Sequence, residues 1–196
     1  MKFSNDLTDK EIWDLFRTGS DSAFEYIYLQ YFDKLYNYGC QFTTDTALVE
    51  DVLQELFLDL KRRSHFLSGT EKILPYLYTS FRRKLIRQRT KSSRFKGIEE
   101  ETSFAIDFSV EDQIIADEKK QAELMQLSKG MRELPEKYRE IIFLFYFENF
   151  TYEEIKEIQG YEHVKSARNL LYKAIKALRK GMAVLLILII FGLNLK

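Results

Sequence analysis

Only two prolines interrupt this 196-residue chain, and only eight glycines loosen it. Proline breaks helix interiors and ends sheet ladders, and glycine weakens both, so punctuation this sparse lets long helices run. Small β-sandwiches and barrels need far more turn residues. The chain is therefore predicted to be all-α. Its 45% hydrophobic content suffices for a packed core, and its 31% charged content argues for solvated helix faces rather than a membrane bundle.

Helix starts are legible in the residue pattern. Thr8 with Glu11 reads as a capping box, stapled by Leu7 and Ile12, and Ser22 with Glu25 reads as another. The second opens a helix rich in aromatics: Phe24, Tyr28, Tyr31, Phe32 and, with them, Leu35. Thr44 or Asp45 can cap a third helix that runs to about Arg63, residues 64–70 read as a turn, and a fourth helix is predicted over 73–89. From Thr90 to about Ser109 no periodicity survives; Ser92, Ser93, Gly97, Glu99, Glu100, Glu101 and Ser103 mark a linker. Helices resume from about Val110, and Pro135 suits a first helical turn ahead of Ile141, Ile142, Leu144 and Phe145. Two small helical domains are expected, each of about four helices, with a boundary near 95–110.

A net charge of zero hides strong segregation. Residues 1–60 carry 12 acids and 4 bases, 61–96 carry 12 bases and one acid (Glu71), 99–123 carry 9 acids and 2 bases, and 163–181 carry 6 bases and no acid. Two basic segments separated by acidic ones suit a binder with two contacts to nucleic acid. Other classes find no support. Cys40 is the single cysteine, so no disulfide closes within the chain, which fits a reducing cytoplasm. His65 and His163 are about a hundred residues apart, no cluster has zinc-ligand spacing, and residues 1–6 contain no apolar signal-peptide core. No glycine loop for phosphates and no nucleophile–base pair stands out, so no cofactor and no enzymatic chemistry are expected.

Three segments carry the functional signal. In the first, Thr151 and Glu154 form a capping box with Phe150 and Ile155 as staple, a short helix runs to about Gln159, and Gly160 permits the left-handed backbone that ends it. A second helix is predicted from Val164. Val164, Ala167, Leu171, Ala174, Ile175 and Leu178 form its apolar stripe, and Lys165, Ser166, Arg168, Asn169, Lys173, Lys176 and Arg179 lie off it. Two helices around a tight turn, the second one basic, suit the major groove of duplex DNA; a plain helical hairpin with a solvated basic face is the bland reading. In the second segment, Leu74, Leu77, Tyr78, Phe81 and Leu85 form a stripe. Tyr76, Arg83 and Arg87 share another face, and Arg82, Lys84, Arg89, Lys91 and Arg94 extend the positive surface. Cations track phosphates and an exposed tyrosine stacks on an unpaired base, a combination suited to single-stranded or opening DNA. In the third, Leu48, Val49, Val52, Leu53, Leu56, Phe57 and Leu60 form a core stripe. Asp51, Gln54, Glu55 and Leu58 share a different face. That face can dock on a basic protein partner or stand solvated.

The order of these parts resembles bacterial sigma factors. Asp51-Val52-Leu53-Gln54-Glu55-Leu56-Phe57 resembles their polymerase-binding helix, and Tyr76-Leu77-Tyr78 with the following bases resembles their promoter-melting helix. Leu134 to Glu140 and Phe147 to Ile155 resemble their C-terminal helix-turn-helix domain. With two domains and a short linker, the chain is similar to the extracytoplasmic-function (ECF) group of the sigma-seventy family. The resemblance implies a division into a region-two-like domain (1–95), an acidic linker (96–110), a region-four-like domain (111–180) and an apolar tail (181–196). It implies that Asp51, Gln54, Glu55 and Leu58 meet the clamp coiled coil of core RNA polymerase. Tyr76, Arg82, Arg83, Arg87 and Arg89 would meet the minus-ten element of promoter DNA, and Lys165, Ser166, Arg168, Asn169 and Lys173 the minus-thirty-five element. The polymerase flap is a further expected contact, and an anti-sigma factor, often membrane-bound, an expected regulator. Arg83 and Arg87 stand where the family often has asparagine and aspartate, so phosphate contact is expected to carry more of the minus-ten binding.

Two other readings compete: a free-standing helix-turn-helix regulator that binds duplex DNA without polymerase, and a helical adaptor whose basic faces meet acidic proteins. The nearly all-aliphatic run 182–193 is outside the family pattern. It reads as a helix end packed on the body or a sticky tail, or alternatively as a shallow membrane contact or a partner-docking peptide; it is short for a span, which needs about 20 residues.

Overall fold

The computed structural model describes residues 7–96, 104–106 and 118–181, and every regular element among them is helical. The chain divides into two compact units, residues 1–101 and 102–196. The apolar run 182–193, the three consecutive glutamates of the expected linker and the helix start expected near Val110 lie outside the described residues.

The first unit contains α1 (Asp9–Arg17), α2 (Asp21–Cys40), α3 (Thr46–Arg62), a 3-10 turn (Ser64–Phe66) and α4 (Ile73–Lys96). Thr8 and Glu11 close the expected capping box on α1: the Thr8 amide donates to Glu11 Oε2 at 2.8 Å, and Thr8 Oγ1 accepts the Glu11 amide at 3.3 Å. The cap of α2 differs from the expectation. Gly19 turns the chain at φ 96°, and Ser20, not Ser22, accepts the Ala23 amide at 3.2 Å. The turn geometry, which local spacing does not encode, selects between the two serines. Asp45 caps α3 through the Leu48 amide. The first amide of α4 is capped from another helix: Asp9 Oδ2, from α1, accepts the Ile73 amide at 2.9 Å while Asp9 Oδ1 accepts the Tyr31 hydroxyl at 3.1 Å. One carboxylate thus satisfies an orphan helix donor and joins three helices.

The core of this unit is heavily aromatic. Trp13, Tyr38, Tyr78 and Phe81 are all fully buried, with Tyr38 and Tyr78 ring centroids 4.6 Å apart. The buried polar tips find partners: Trp13 Nε1 donates to the Ser68 carbonyl at 2.9 Å. Arg17 Nε donates to the Leu67 carbonyl at 2.7 Å, so the 64–70 turn is held down on α1.

The second unit contains α5 (Glu118–Arg132), α6 (Glu136–Ile142) continuing into a π-helical segment (Phe143–Phe147), α7 (Tyr152–Gln159) and α8 (Val164–Gly181). Pro135 precedes α6 as its N-cap. Asn149 takes the left-handed conformation (φ 57°), which asparagine tolerates better than most residues, and turns the chain into α7. Within the segment expected to be linker, Phe104 and Ile106 are buried, and Phe104 meets the Phe143 ring edge-on at 5.6 Å. Arg139, itself buried, donates to the carbonyls of Phe104, Arg132 and Leu134. These two apolar residues therefore belong to the second unit's core, a placement that an acidic, aperiodic neighbourhood conceals.

At Gly39 the side of α2 closes on α3 and α4. A Cβ built there lies 2.6 Å from Val49 Cγ1 and 2.8 Å from Phe81 Cζ. Alanine is the better helix former by about 1 kcal/mol, but overpacking costs about 1–3 kcal/mol, and both obstructing groups are buried. Gly39→Ala is expected to lower the urea midpoint of unfolding. Gly69→Ala, whose Cβ comes no nearer than 3.7 Å to anything, is expected to leave it in place. Equal midpoints for the two variants would refute the close approach.

Candidate functional site

Burial of one stripe of α3 decides what its other side presents. Val49, Val52, Leu53, Leu56, Phe57 and Leu60 are buried, and Asp51, Gln54, Glu55 and Leu58 are exposed, with Leu58 at 46%. Beside them a groove of about 590 Å³ opens between α2 and α3. Its floor is aromatic: Phe57 meets Tyr28 edge-on at 4.9 Å, Phe24 edge-on at 6.4 Å and Phe32 at 6.4 Å. Asp51, Gln54 and Leu58 form its rim on α3. The groove escaped the sequence reading, although Phe24, Tyr28 and Phe32 recur at the i, i+4, i+8 spacing that puts them on one side of α2.

Glu55 has a different situation from its three neighbours. Lys84, on α4, reaches its Oε1 at 2.7 Å and Asp59 Oδ2 at 2.5 Å, and Gln88 Nε2 donates to Glu55 Oε2 at 3.3 Å. The hydrogen bond from Lys84 holds the Glu55 carboxyl below the usual carboxylate range, against a smaller opposing effect of burial. For Lys84, burial disfavours the charge, but the hydrogen bonds and charges of Asp59 and Glu55 together outweigh it and raise the ammonium pKa. The exposed face of α3 and the basic helix α4 therefore share one ionic bridge.

The candidate residues of α4 separate by environment. Arg83 and Arg87 are exposed, one turn apart. Arg82 is half-buried. Tyr76 is half-buried too, its ring edge-on to Trp13 at 4.9 Å, so it is not the freely exposed stacking platform expected. Arg89 is a correction. It is 7% exposed, with its guanidinium over the Phe42 ring at 5.7 Å, and so does not extend the positive surface. The Phe42 ring, 47 positions earlier in the chain, gives that guanidinium an interior partner that sequence spacing cannot reveal.

In the second unit the helix-turn-helix forms as the residue pattern predicts. Thr151 and Glu154 satisfy each other's backbone amides at 2.7 and 3.3 Å. Gly160 ends α7 at φ 72°, ψ 34°, with the Tyr161 amide returned to the Lys156 carbonyl at 2.9 Å. No atom would meet a Cβ at Gly160, so the need for glycine there is conformational rather than steric. Ala167, Leu171, Ala174 and Leu178 are buried, which leaves Lys165, Ser166, Arg168, Asn169 and Lys173 exposed on α8. Arg168 rests over the Tyr152 ring at 5.3 Å, a contact that steadies a long side chain on the exposed face. Among the described residues no group of three or more histidines, cysteines or acids could hold a metal ion, and no helix is long and apolar enough to cross a membrane.

Comparison with known proteins divides the chain along the same lines. The family described as Sigma-70 region 2 matches residues 27–95, and Sigma-70, region 4 matches residues 124–178. The ECF RNA polymerase sigma factor SigM of Bacillus subtilis (strain 168) is 26% identical over 154 residues, covering 78% of this chain and 91% of its own. Among solved structures, the sigma factor RpoE in complex with the anti-sigma factor NepR from Bartonella quintana aligns with a TM-score of 0.61 at 19% identity, over 82% of this chain and 97% of its own. CnrH, in complex with the cytosolic domain of CnrY, aligns with a TM-score of 0.59 at 16% identity, over 88% of this chain and 95% of its own. At these identities the two structures speak for the fold.

The Lys84 bridge has a defined pH signature. Glu55 has a folded pKa below the ordinary 4.5, so its contribution is complete above that value and fades as pH falls through the folded pKa. Lys84 has a folded pKa above the ordinary 10.5, so its contribution is complete below that value and fades as pH rises through the folded pKa. In Lys84→Met the Glu55 carboxyl is expected to titrate closer to 4.5, read by carboxyl carbon NMR. An unmoved titration would show that Lys84 does not hold it.

Proposed function

Because this chain belongs to the ECF group of the sigma-70 family, we propose that its transcription role is divided among the exposed faces just described. The protein is a sigma factor: it binds core RNA polymerase, directs it to specific promoters and helps open the DNA. In our reading it acts in the cytoplasm and catalyses no reaction itself. It supplies binding energy that favours promoter over bulk DNA, and separated over paired strands.

The observation that carries the residue assignment is the sorting of charge onto outward faces of two neighbouring helices. On α3, Asp51, Gln54 and Leu58 are exposed and not among the groups tied to Lys84. We assign them the contact with the clamp coiled coil, with Glu55 contributing through the shared bridge. On α4, Arg83 and Arg87 are exposed and share Tyr76's face by helical spacing, and we assign them the phosphates of the minus-ten element. Arg82 takes a peripheral place in that contact, and Tyr76 offers the part of its ring left uncovered by Trp13. On α8, Lys165, Ser166, Arg168, Asn169 and Lys173 line the face that enters the major groove at the minus-thirty-five element. Arginine there is suited to guanine edges and asparagine to adenine. The polymerase flap is a further contact of the second unit. Regulation by an anti-sigma factor follows from the relatives whose solved structures contain one, RpoE with NepR and CnrH with CnrY.

Run-off transcription with purified core polymerase on a genomic fragment library tests partner, activity and promoter together. Wild-type protein is expected to give discrete start sites, and Asp51→Arg with Gln54→Ala is expected to lose both co-purification with core and run-off product while keeping its helical circular dichroism. Unchanged co-purification would remove the α3 assignment. Arg83→Ala with Arg87→Ala is expected to lower open-complex formation and to flatten its salt dependence. With each single-strand phosphate contact contributing about 0.7 to the slope of log affinity against log salt, loss of both lowers it by about 1.4. Permanganate footprints and salt slopes identical to wild type would rule these residues out.

A further inference from the structure

One cation of α4 is withheld from the face to which Arg83 and Arg87 belong. Lys84 precedes Arg87 by three positions, a step that makes the two side chains neighbours on the helix, about 5–6 Å apart at Cβ. Arg83 and Arg87 make no ion pair among the described residues, whereas the Lys84 ammonium lies 2.7 Å from Glu55 and 2.5 Å from Asp59 on α3. The Lys84 side chain is 23% exposed, against 47% and 40% for the two acids. The lysine is thus the covered member of this cluster, and the carboxylates are the members that a partner reaches first.

Those acids belong to a longer row. Asp51, Glu55 and Asp59 recur at four-residue steps along one side of α3, so like charges stand one turn apart. Lys84 compensates Glu55 and Asp59, and Asp51 stays outside the bridge. A basic protein surface drawn to this row offers Glu55 and Asp59 a second source of positive charge. Half-exposed ion pairs are weak in water, so a surface that makes several contacts at once can displace Lys84. The displaced ammonium sits on a flexible four-carbon stem, and the face beside it is that of Arg83 and Arg87. A partner shifts such an equilibrium only by binding one state better than the other. A cation on Glu55 does so, because it occupies the carboxylate that Lys84 must share.

We propose that Lys84 is a reserve phosphate-binding residue: Glu55 and Asp59 hold it in the free protein, and core polymerase, by engaging those carboxylates, releases it to the DNA strand that Arg83 and Arg87 contact. The free protein then meets DNA with one cation fewer than the polymerase-bound protein, so the strand is held more tightly once the enzyme is assembled. The reserve rests on the DNA role assigned to α4 and the release on the docking role assigned to α3, and the two are tested apart.

Glu55, Asp59 and Lys84 all lie outside the buried stripes of α3 and α4, so substitutions there leave the core in place. The reserve is tested in the free full chain by the fluorescence anisotropy of a labelled oligothymidylate across salt concentrations. Glu55→Gln with Asp59→Asn is expected to steepen the slope of log affinity against log salt by about 0.7 and to tighten binding about eightfold at about 50 mM salt. Adding Lys84→Met to that variant is expected to abolish both gains. No gain overturns the proposal, and so does a gain that survives Lys84→Met, which would show that the carboxylates merely repel the strand. A slope left unchanged by Arg83→Ala with Arg87→Ala withdraws the DNA role of α4, and the reserve with it. The release is tested in holoenzyme at saturating core, on a promoter located by run-off transcription. There Lys84→Met is expected to lower the salt slope of open-complex formation by about 0.7, and Lys84→Arg to keep it. A Lys84→Met slope equal to wild type, with co-purification intact, overturns the release while the docking role of α3 stands. A Lys84→Arg slope as low as that of Lys84→Met reports a structural effect and overturns it as well. Failure of the wild-type protein to co-purify with core withdraws the docking role, and the release with it.

Discussion

The close approach at Gly39 sets the geometry on which the first unit depends. With no Cβ on that residue, α2 lies against Val49 of α3 and Phe81 of α4 at distances that no side chain would allow. Three helices meeting this tightly leave little freedom for any of them to rotate, because interiors pack at crystal-like density and resist even a methylene of change. The buried stripes of α3 and α4 are therefore fixed inward. Asp51, Gln54 and Leu58 of α3 and Arg83 and Arg87 of α4 are fixed outward. The same contact brings Lys84 within reach of Glu55 and Asp59. Asp9 adds a second constraint by capping α4 from α1 and holding the Tyr31 hydroxyl, whose pKa is raised by burial first and by that carboxylate second.

Charge segregation is what converts this packing into a sigma factor's task. A net charge of zero weakens long-range attraction to DNA as a whole, while local clusters remain effective within a Debye length of about 8 Å at physiological salt. Arg83 with Arg87, and Arg168 with Lys165 and Lys173, are such clusters on separate units. The acidic side of α3 carries the opposite sign and is suited to a basic protein surface rather than to phosphate. Lys84 joins that side to α4, so a cation brought to Glu55 from outside would have to compete with the bridge.

The second unit solves a different problem, the support of α8 with its basic side exposed. Arg139 gathers three backbone carbonyls, from Phe104, Arg132 and Leu134, and so ties the chain ahead of α5 to the loop before α6. A buried guanidinium is costly unless its donors are used, and here carbonyl oxygens use them. The π-helical segment and Asn149 then redirect the chain so that the capping box of α7 and Gly160 place α8 with its basic side outward.

Local rules and long-range packing divided the work cleanly. The amino-acid sequence by itself determined the helical class, the capping boxes at Thr8 and Thr151, the stop at Gly160 and the start of α8 at Val164, because these depend on contacts three or four residues apart and on the backbone preferences of single residues. It also determined which sides of α3 and α8 are apolar, since helical period alone fixes that. Only the tertiary structure decided that Ser20 rather than Ser22 caps α2, that Arg89 turns inward onto Phe42, that Tyr76 leans on Trp13, that Glu55 belongs partly to Lys84, and that Phe104 and Ile106 join a core instead of a linker. Each of those outcomes turns on the direction of a tight turn or on a partner 29 to 63 positions away in the chain. The free energy of such contacts comes from burial and charge compensation in space, which no spacing along the chain records.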